Sequence, residues 1–86
     1  SNTQFNLTVA PNPFSDKIDI SFYSDKRQTV QLSIMDMHGR TVMLKQLQCT
    51  PGRYSYILDG LQGLSNGVYF LTARTPGNSY VRKIVR

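Results

Sequence analysis

Glutamate and tryptophan are absent from the chain, and cysteine and histidine occur once each. With Cys49 alone there is no internal disulfide, and the residue reads as an inert thiol in a loop or half-buried position. His38 is a single imidazole with no His or Cys companions, so no zinc-type cluster is available. It shares one short turn with Asp36, and no activated serine stands near it in the pattern a nucleophilic triad needs. The aspartates Asp16, Asp25, Asp36 and Asp59 stand singly in turns, where Asp bonds nearby backbone, and are not paired as two-carboxylate chemistry requires. No loop gathers the several oxygen ligands that calcium takes. An enzyme, a metal site and a bound cofactor are therefore not expected. Missing tryptophan counts against a carbohydrate-binding module, and missing glutamate counts against long exposed helices. No apolar run approaches the roughly 20 residues of a membrane-spanning helix. The first apolar residues already alternate with polar ones, so no signal peptide is expected.

What is present suits one small domain. The 86 residues are 40% hydrophobic and 17% charged, a globular balance. Residues 1–4 read as a tag or linker, with Ser1-Asn2 the clearest candidates for leftover residues. The net charge of +5 is unevenly spread. Up to residue 39, Lys17, Lys26 and Arg27 stand against Asp16, Asp19, Asp25 and Asp36. From residue 40 on, Arg40, Lys45, Arg53, Arg74, Arg82, Lys83 and Arg86 stand against Asp59 alone. A basic second half points to an acidic partner of some kind.

The dominant period is two, the mark of strands with one buried face. Phe5, Leu7 and Val9 alternate with polar residues, as do Ile18, Ile20 and Phe22, then Val30, Leu32 and Ile34. Val42 and Leu44 continue the series, followed by Tyr54, Tyr56 and Leu58. Tyr69, Leu71 and Ala73 set one face of a late strand, with Val68 and Phe70 opposite. The run Tyr80 to Val85 reads as basic on one side and apolar on the other. Prolines in Pro11-Asn12-Pro13 lack the N–H that a ladder needs. Asp36-Met37-His38-Gly39 reads as a hairpin loop, and Pro51-Gly52 and Pro76-Gly77 as two more turns. Residues 59–67 form a longer crossover whose Leu61 and Leu64 would plug the end of the core. The pattern predicts an all-β fold, an immunoglobulin-like antiparallel β-sandwich of about seven strands. Its core is expected to hold Ile18, Ile20, Val30, Leu32, Ile34, Leu58, Tyr69 and Leu71. Tyr69, just after Asn66-Gly67, is placed for a tyrosine corner, its hydroxyl bonded to the preceding loop.

Nucleic acid is not an expected partner, since only Tyr80 with Arg82 offers the interleaving of aromatics and cations that such a surface needs. Tyr54, Tyr56 and Tyr69 lie on apolar faces.

Four short features recur in one order: Ala10-Pro11-Asn12-Pro13-Phe14, Met35 to Arg40, Leu64 to Leu71, and Lys83-Ile84-Val85-Arg86 at the end. Together they resemble the type A C-terminal sorting domain of the type IX (Por) secretion system of Bacteroidetes, over about Leu7 to Arg86. The resemblance implies that residues 1–86 are a single sorting domain directing a parent protein through the outer-membrane translocon. It implies the translocon and the sortase as partners, with passage through the periplasm and delivery to the medium or the cell surface. No transmembrane segment is implied, and the domain is expected to be monomeric. By position the family's marked residues are Pro11, Asn12, Pro13, Gly39, Arg40, Gly67, Tyr69, Lys83 and Arg86. Pro11, Asn12, Pro13, Gly39, Gly67 and Tyr69 have full structural explanations as turn formers and a corner. Arg40, Arg82, Lys83 and Arg86 have no such need and are the candidate recognition residues. The alternative is an accessory immunoglobulin-like or fibronectin-like spacer, or a carbohydrate-binding module, of a cell-surface protein.

Overall fold

The computed structural model describes residues 5–86, so the possible tag or linker residues, Ser1-Asn2 among them, lie outside the described residues. Seven strands follow in chain order: β1 (Thr8–Ala10), β2 (Ile18–Ser24), β3 (Gln28–Asp36), β4 (Thr41–Cys49), β5 (Gly52–Leu58), β6 (Val68–Arg74) and β7 (Ser79–Val85). They form a three-stranded sheet, β1-β2-β5, and a four-stranded sheet, β4-β3-β6-β7, with every pairing antiparallel. This is the immunoglobulin-like sandwich that the alternation predicts.

The period-two residues meet between the sheets. Ile18, Ile20, Val30, Leu32, Ile34 and Leu71 are fully buried, and Leu58 and Tyr69 nearly so. Phe22 and Ala73 join them from β2 and β6. The same inward-outward alternation is kept on β2 and β3, and on β6 apart from the buried Thr72, because each has one face on the core. Tyr54 and Tyr56 are half-buried at the margin of this core.

Three details differ from the sequence pattern. The first strand begins only at Thr8, although Phe5 and Leu7 are buried. Asn6 takes a left-handed φ of 58° there, which Asn tolerates but an extended strand does not. On β4, Ile34 pairs with Met43 and Met35 with Thr41, so Val42 is the extra residue of a bulge. Leu44 consequently faces solvent, 52% exposed, while Met43 and Leu47 pack on the core and Cys49 is buried in the last position of the strand. Burial raises the Cys49 thiol pKa, keeping it protonated. On β7 the two sides are not one basic and one apolar. Tyr80, Arg82 and Ile84 share the inward side, and Val81, Lys83 and Val85 the outward side, so each side carries a cation among apolar neighbours.

The segment before β2 has a further role. Phe5 stacks on Tyr80, with centroids 4.4 Å apart, and on Phe22 at 4.8 Å. Phe14 N–H donates to Val85 C=O at 2.8 Å. Residues 5–14 thus lie beside the open edge of β7, running in the same direction. A sheet edge left bare invites pairing with foreign strands, and this arm covers it.

Candidate functional site: the motif-bearing end of the sandwich

Four segments far apart in sequence meet at one end of the sandwich, around the last turn of β7. Pro11 and Pro13 end the ladder after β1 and set Asn12 beside β7. The Asn12 amide then acts like a strand peptide: Nδ2 donates to Lys83 C=O at 3.3 Å, and Oδ1 accepts from Val85 N–H at 2.9 Å. From the other side, Gly67 and Arg86 exchange two backbone bonds, Gly67 N–H to Arg86 C=O at 3.1 Å and Arg86 N–H to Gly67 C=O at 2.9 Å. Gly67 has φ 151°, a conformation closed to most side chains, which explains glycine at this position. Two residues on, Tyr69 is buried and its hydroxyl donates to Ser65 C=O at 2.7 Å. The tyrosine corner is present. Its ring meets Phe14 edge-on at 6.1 Å, linking it to the Pro11–Pro13 turn.

Asp36 organises the neighbouring turn. Its Oδ1 accepts from the N–H groups of His38 (2.9 Å) and Arg40 (3.0 Å), and Oδ2 accepts from Arg40 Nε at 2.9 Å. Gly39, at φ 82°, makes the left-handed step that closes the loop. Between this turn and Ser65–Tyr69 lies a shallow notch, with His38 exposed at its rim. The Arg40 backbone N–H, with help from the His38 N–H and the Arg40 guanidinium, holds the Asp36 carboxyl pKa below its ordinary value, against the opposing effect of burial. A depressed carboxylate stabilises the fold above its unfolded pKa and loses that contribution as pH falls through the folded value. The stability gap between the wild type and Asp36→Asn should therefore be full at neutral pH and shrink below about pH 4. Urea melts at pH 7 and pH 3 measure it, and a gap that does not change with pH would contradict the assignment.

The four candidate cations stand in different states. Arg40 pairs with Asp36 but keeps 76% of its side chain exposed. Arg82 is tied down more firmly, Nη1 to Val81 C=O at 2.9 Å and Nη2 to Leu7 C=O at 3.1 Å, which fastens β7 to the arm. Arg86 donates to Asn66 Oδ1 (2.9 Å) and Gln62 C=O (3.2 Å), and its Nε is buried without a partner among the described residues. Lys83 is exposed and makes no ion pair among the described residues. The spacing of cations in the sequence carried no sign that Arg82 and Arg86 bond backbone carbonyls. The bonds of Asn12, which the resemblance had marked as a turn residue, and of Asn66 and Gln62 were equally hidden, because their partners lie 20 to 73 residues away.

The family described as the secretion system C-terminal sorting domain matches residues 8–86, which takes in all four converging segments. The chain belongs to that family. It is a sorting signal for type IX secretion, and the spacer and carbohydrate-binding readings give way to this one. The protein that carries this sorting domain is accordingly secreted or displayed at the cell surface, and the domain works with the type IX machinery. A comparison with curated proteins finds no match.

Proposed function

We propose that the sorting domain is read by the outer-membrane translocon at its motif-bearing end, after passage of the parent protein through the periplasm. The supporting observation is the convergence of residues 12–14, 36–40, 62–69 and 83–86 on one corner of an otherwise ordinary sandwich. At that corner Lys83 is exposed and makes no ion pair among the described residues. Within the candidate set, Lys83 and Arg40 offer exposed charge that bonds no backbone carbonyl among the described residues, whereas Arg82, also exposed, is held by two carbonyls. Arg82 and Arg86 hold the last strand in position, as do Pro11, Asn12, Pro13, Gly39, Gly67 and Tyr69 around it. The sortase, acting later on the exported protein, is the second partner in this reading, and the domain works as a monomer.

The division of labour is testable with a reporter carrying a periplasmic signal peptide ahead of this domain, in a Bacteroidetes host with a working type IX system. Arg40→Gln with Lys83→Gln changes exposed side chains, so stability should move by no more than about 1 kcal/mol in total. Export of that variant should fall sharply, with folded reporter accumulating in the periplasm. Arg82→Gln with Arg86→Gln should lower both the melting temperature and export. Normal export of the Arg40/Lys83 variant would refute the assignment of the exposed charge.

A further inference from the structure

We infer that the outward face of the four-stranded sheet is a docking surface for an acidic protein partner within the type IX machinery, an inference that rests on the sorting role. The register places Leu44, Ser33, Thr72 and Val81 in one row across all four strands. Met35, Phe70 and Lys83 fill the next row, and Val68 pairs with Val85 beyond it. By register these positions lie on the side away from the core, where a one-sided antiparallel sheet normally carries polar residues, although Thr72 on the inner strand β6 is itself buried. Here Leu44 is 52% exposed, Phe70 38% and Val81 52%. They are three of the five large apolar side chains exposed among the described residues, and they share one face. Met35, Val68 and Val85 are half-buried between and beside them. An apolar tract of this kind on a solvent face is the usual mark of an interaction site.

Charge selects the occupant. Lys83 and Arg74 are outward-facing on this sheet, and no aspartate holds an outward position on its four strands. Neither cation is in an ion pair, since Arg40–Asp36 is the one salt bridge among the described residues. A second copy of this chain would bring the same cations, and the same net charge of +5, against its own face. A lipid surface is normally met by protruding loops or helices with interfacial tryptophan, whereas this is the broad side of a sheet in a chain without tryptophan. An apolar protein surface rimmed by carboxylates satisfies both the stripe and the cations. Val68 and Val85 adjoin Gly67 and Arg86, so the face is continuous with the motif-bearing end.

The test uses the same export reporter with Val81→Glu, Val81→Arg and Leu44→Glu, none of which replaces a candidate cation; the Val81 contact with Arg82 is through its backbone carbonyl, which all three keep. Both positions are about half exposed, and melts of the purified domains check that the fold is kept. A carboxylate placed against an acidic partner should lower surface delivery by about tenfold or more for Val81→Glu and Leu44→Glu. Val81→Arg should lose about threefold or less, because its charge has the favourable sign. Wild-type export with equal export of both Glu variants would overturn the docking face and leave the sorting role intact. Equal loss in Val81→Glu and Val81→Arg would overturn the acidic character of the partner. Sedimentation showing a dimer that Val81→Glu abolishes, or wild-type binding to phosphatidylglycerol vesicles that Val81→Glu abolishes, would overturn it in favour of a second copy or a membrane. Retention of the wild-type reporter in the periplasm would remove the sorting role and this inference with it.

Discussion

Tyr69→Ala is expected to destabilise the domain by about 3–5 kcal/mol, and Tyr69→Phe by about 1 kcal/mol. The alanine variant loses a ring buried in the core and its edge-on contact with Phe14. That contact joins β6 to the Pro11–Pro13 turn, so the cavity opens where the converging segments meet. The phenylalanine variant keeps the ring and loses only the 2.7 Å bond to Ser65 C=O. Because Ser65 is exposed, water can replace the hydroxyl at its carbonyl, which keeps the cost near the lower figure. Denaturant melts of both variants measure the difference. Two small and equal effects would show that the corner contributes nothing beyond its appearance. Since the domain is small, the alanine change alone should remove a large fraction of total stability.

Leu61→Ala is expected to cost about 2–5 kcal/mol, as a core leucine would, although Leu61 lies in the crossover between β5 and β6. Its side chain is fully buried, and its N–H donates to Asp16 C=O at 3.0 Å, so loop and core are fixed together. Leu64 accompanies it but is only half-buried, and its N–H donates to Leu61 C=O at 3.1 Å. Leu64→Ala should therefore cost clearly less, about 1–2 kcal/mol on the area it buries. Equal losses for the two leucines would mean that the crossover packs as a unit and that Leu61 is not its anchor.

The two sheets and their core were legible in the sequence because burial on one side leaves a period-two trace, which β2 and β3 keep without interruption and β6 keeps except at Thr72. The Asp36 turn and the Tyr69 corner were legible for a related reason: their partners lie within four residues. β4 was misleading at Leu44 because one bulge residue, Val42, reverses which side the following side chains face. Most of the candidate site was hidden. Asn12 shows its function only when β7 lies beside it, and an arginine that bonds a carbonyl looks in sequence like one that faces water. The charge asymmetry marked the basic second half of the chain and held no sign that Arg82 and Arg86 bond backbone carbonyls. The outward apolar rows were present as Val68 and Phe70, but their continuity with Leu44 and Val81 depends on strand order across four strands.

The arm at residues 5–14 and strand β7 run in the same direction, with Phe5 beside Tyr80 at one end and Asn12 beside Val85 at the other. Tension applied between Phe5 and Arg86 would therefore slide these two segments past each other. In that geometry the Phe5–Tyr80 stack, the Arg82–Leu7 bond, the two Asn12 bonds and the Phe14–Val85 bond share the load at once. Peeling would break them one after another at much lower force. The domain is thus expected to resist force along the line from its first described residue to its last better than force that lifts β7 sideways from its Arg86 end.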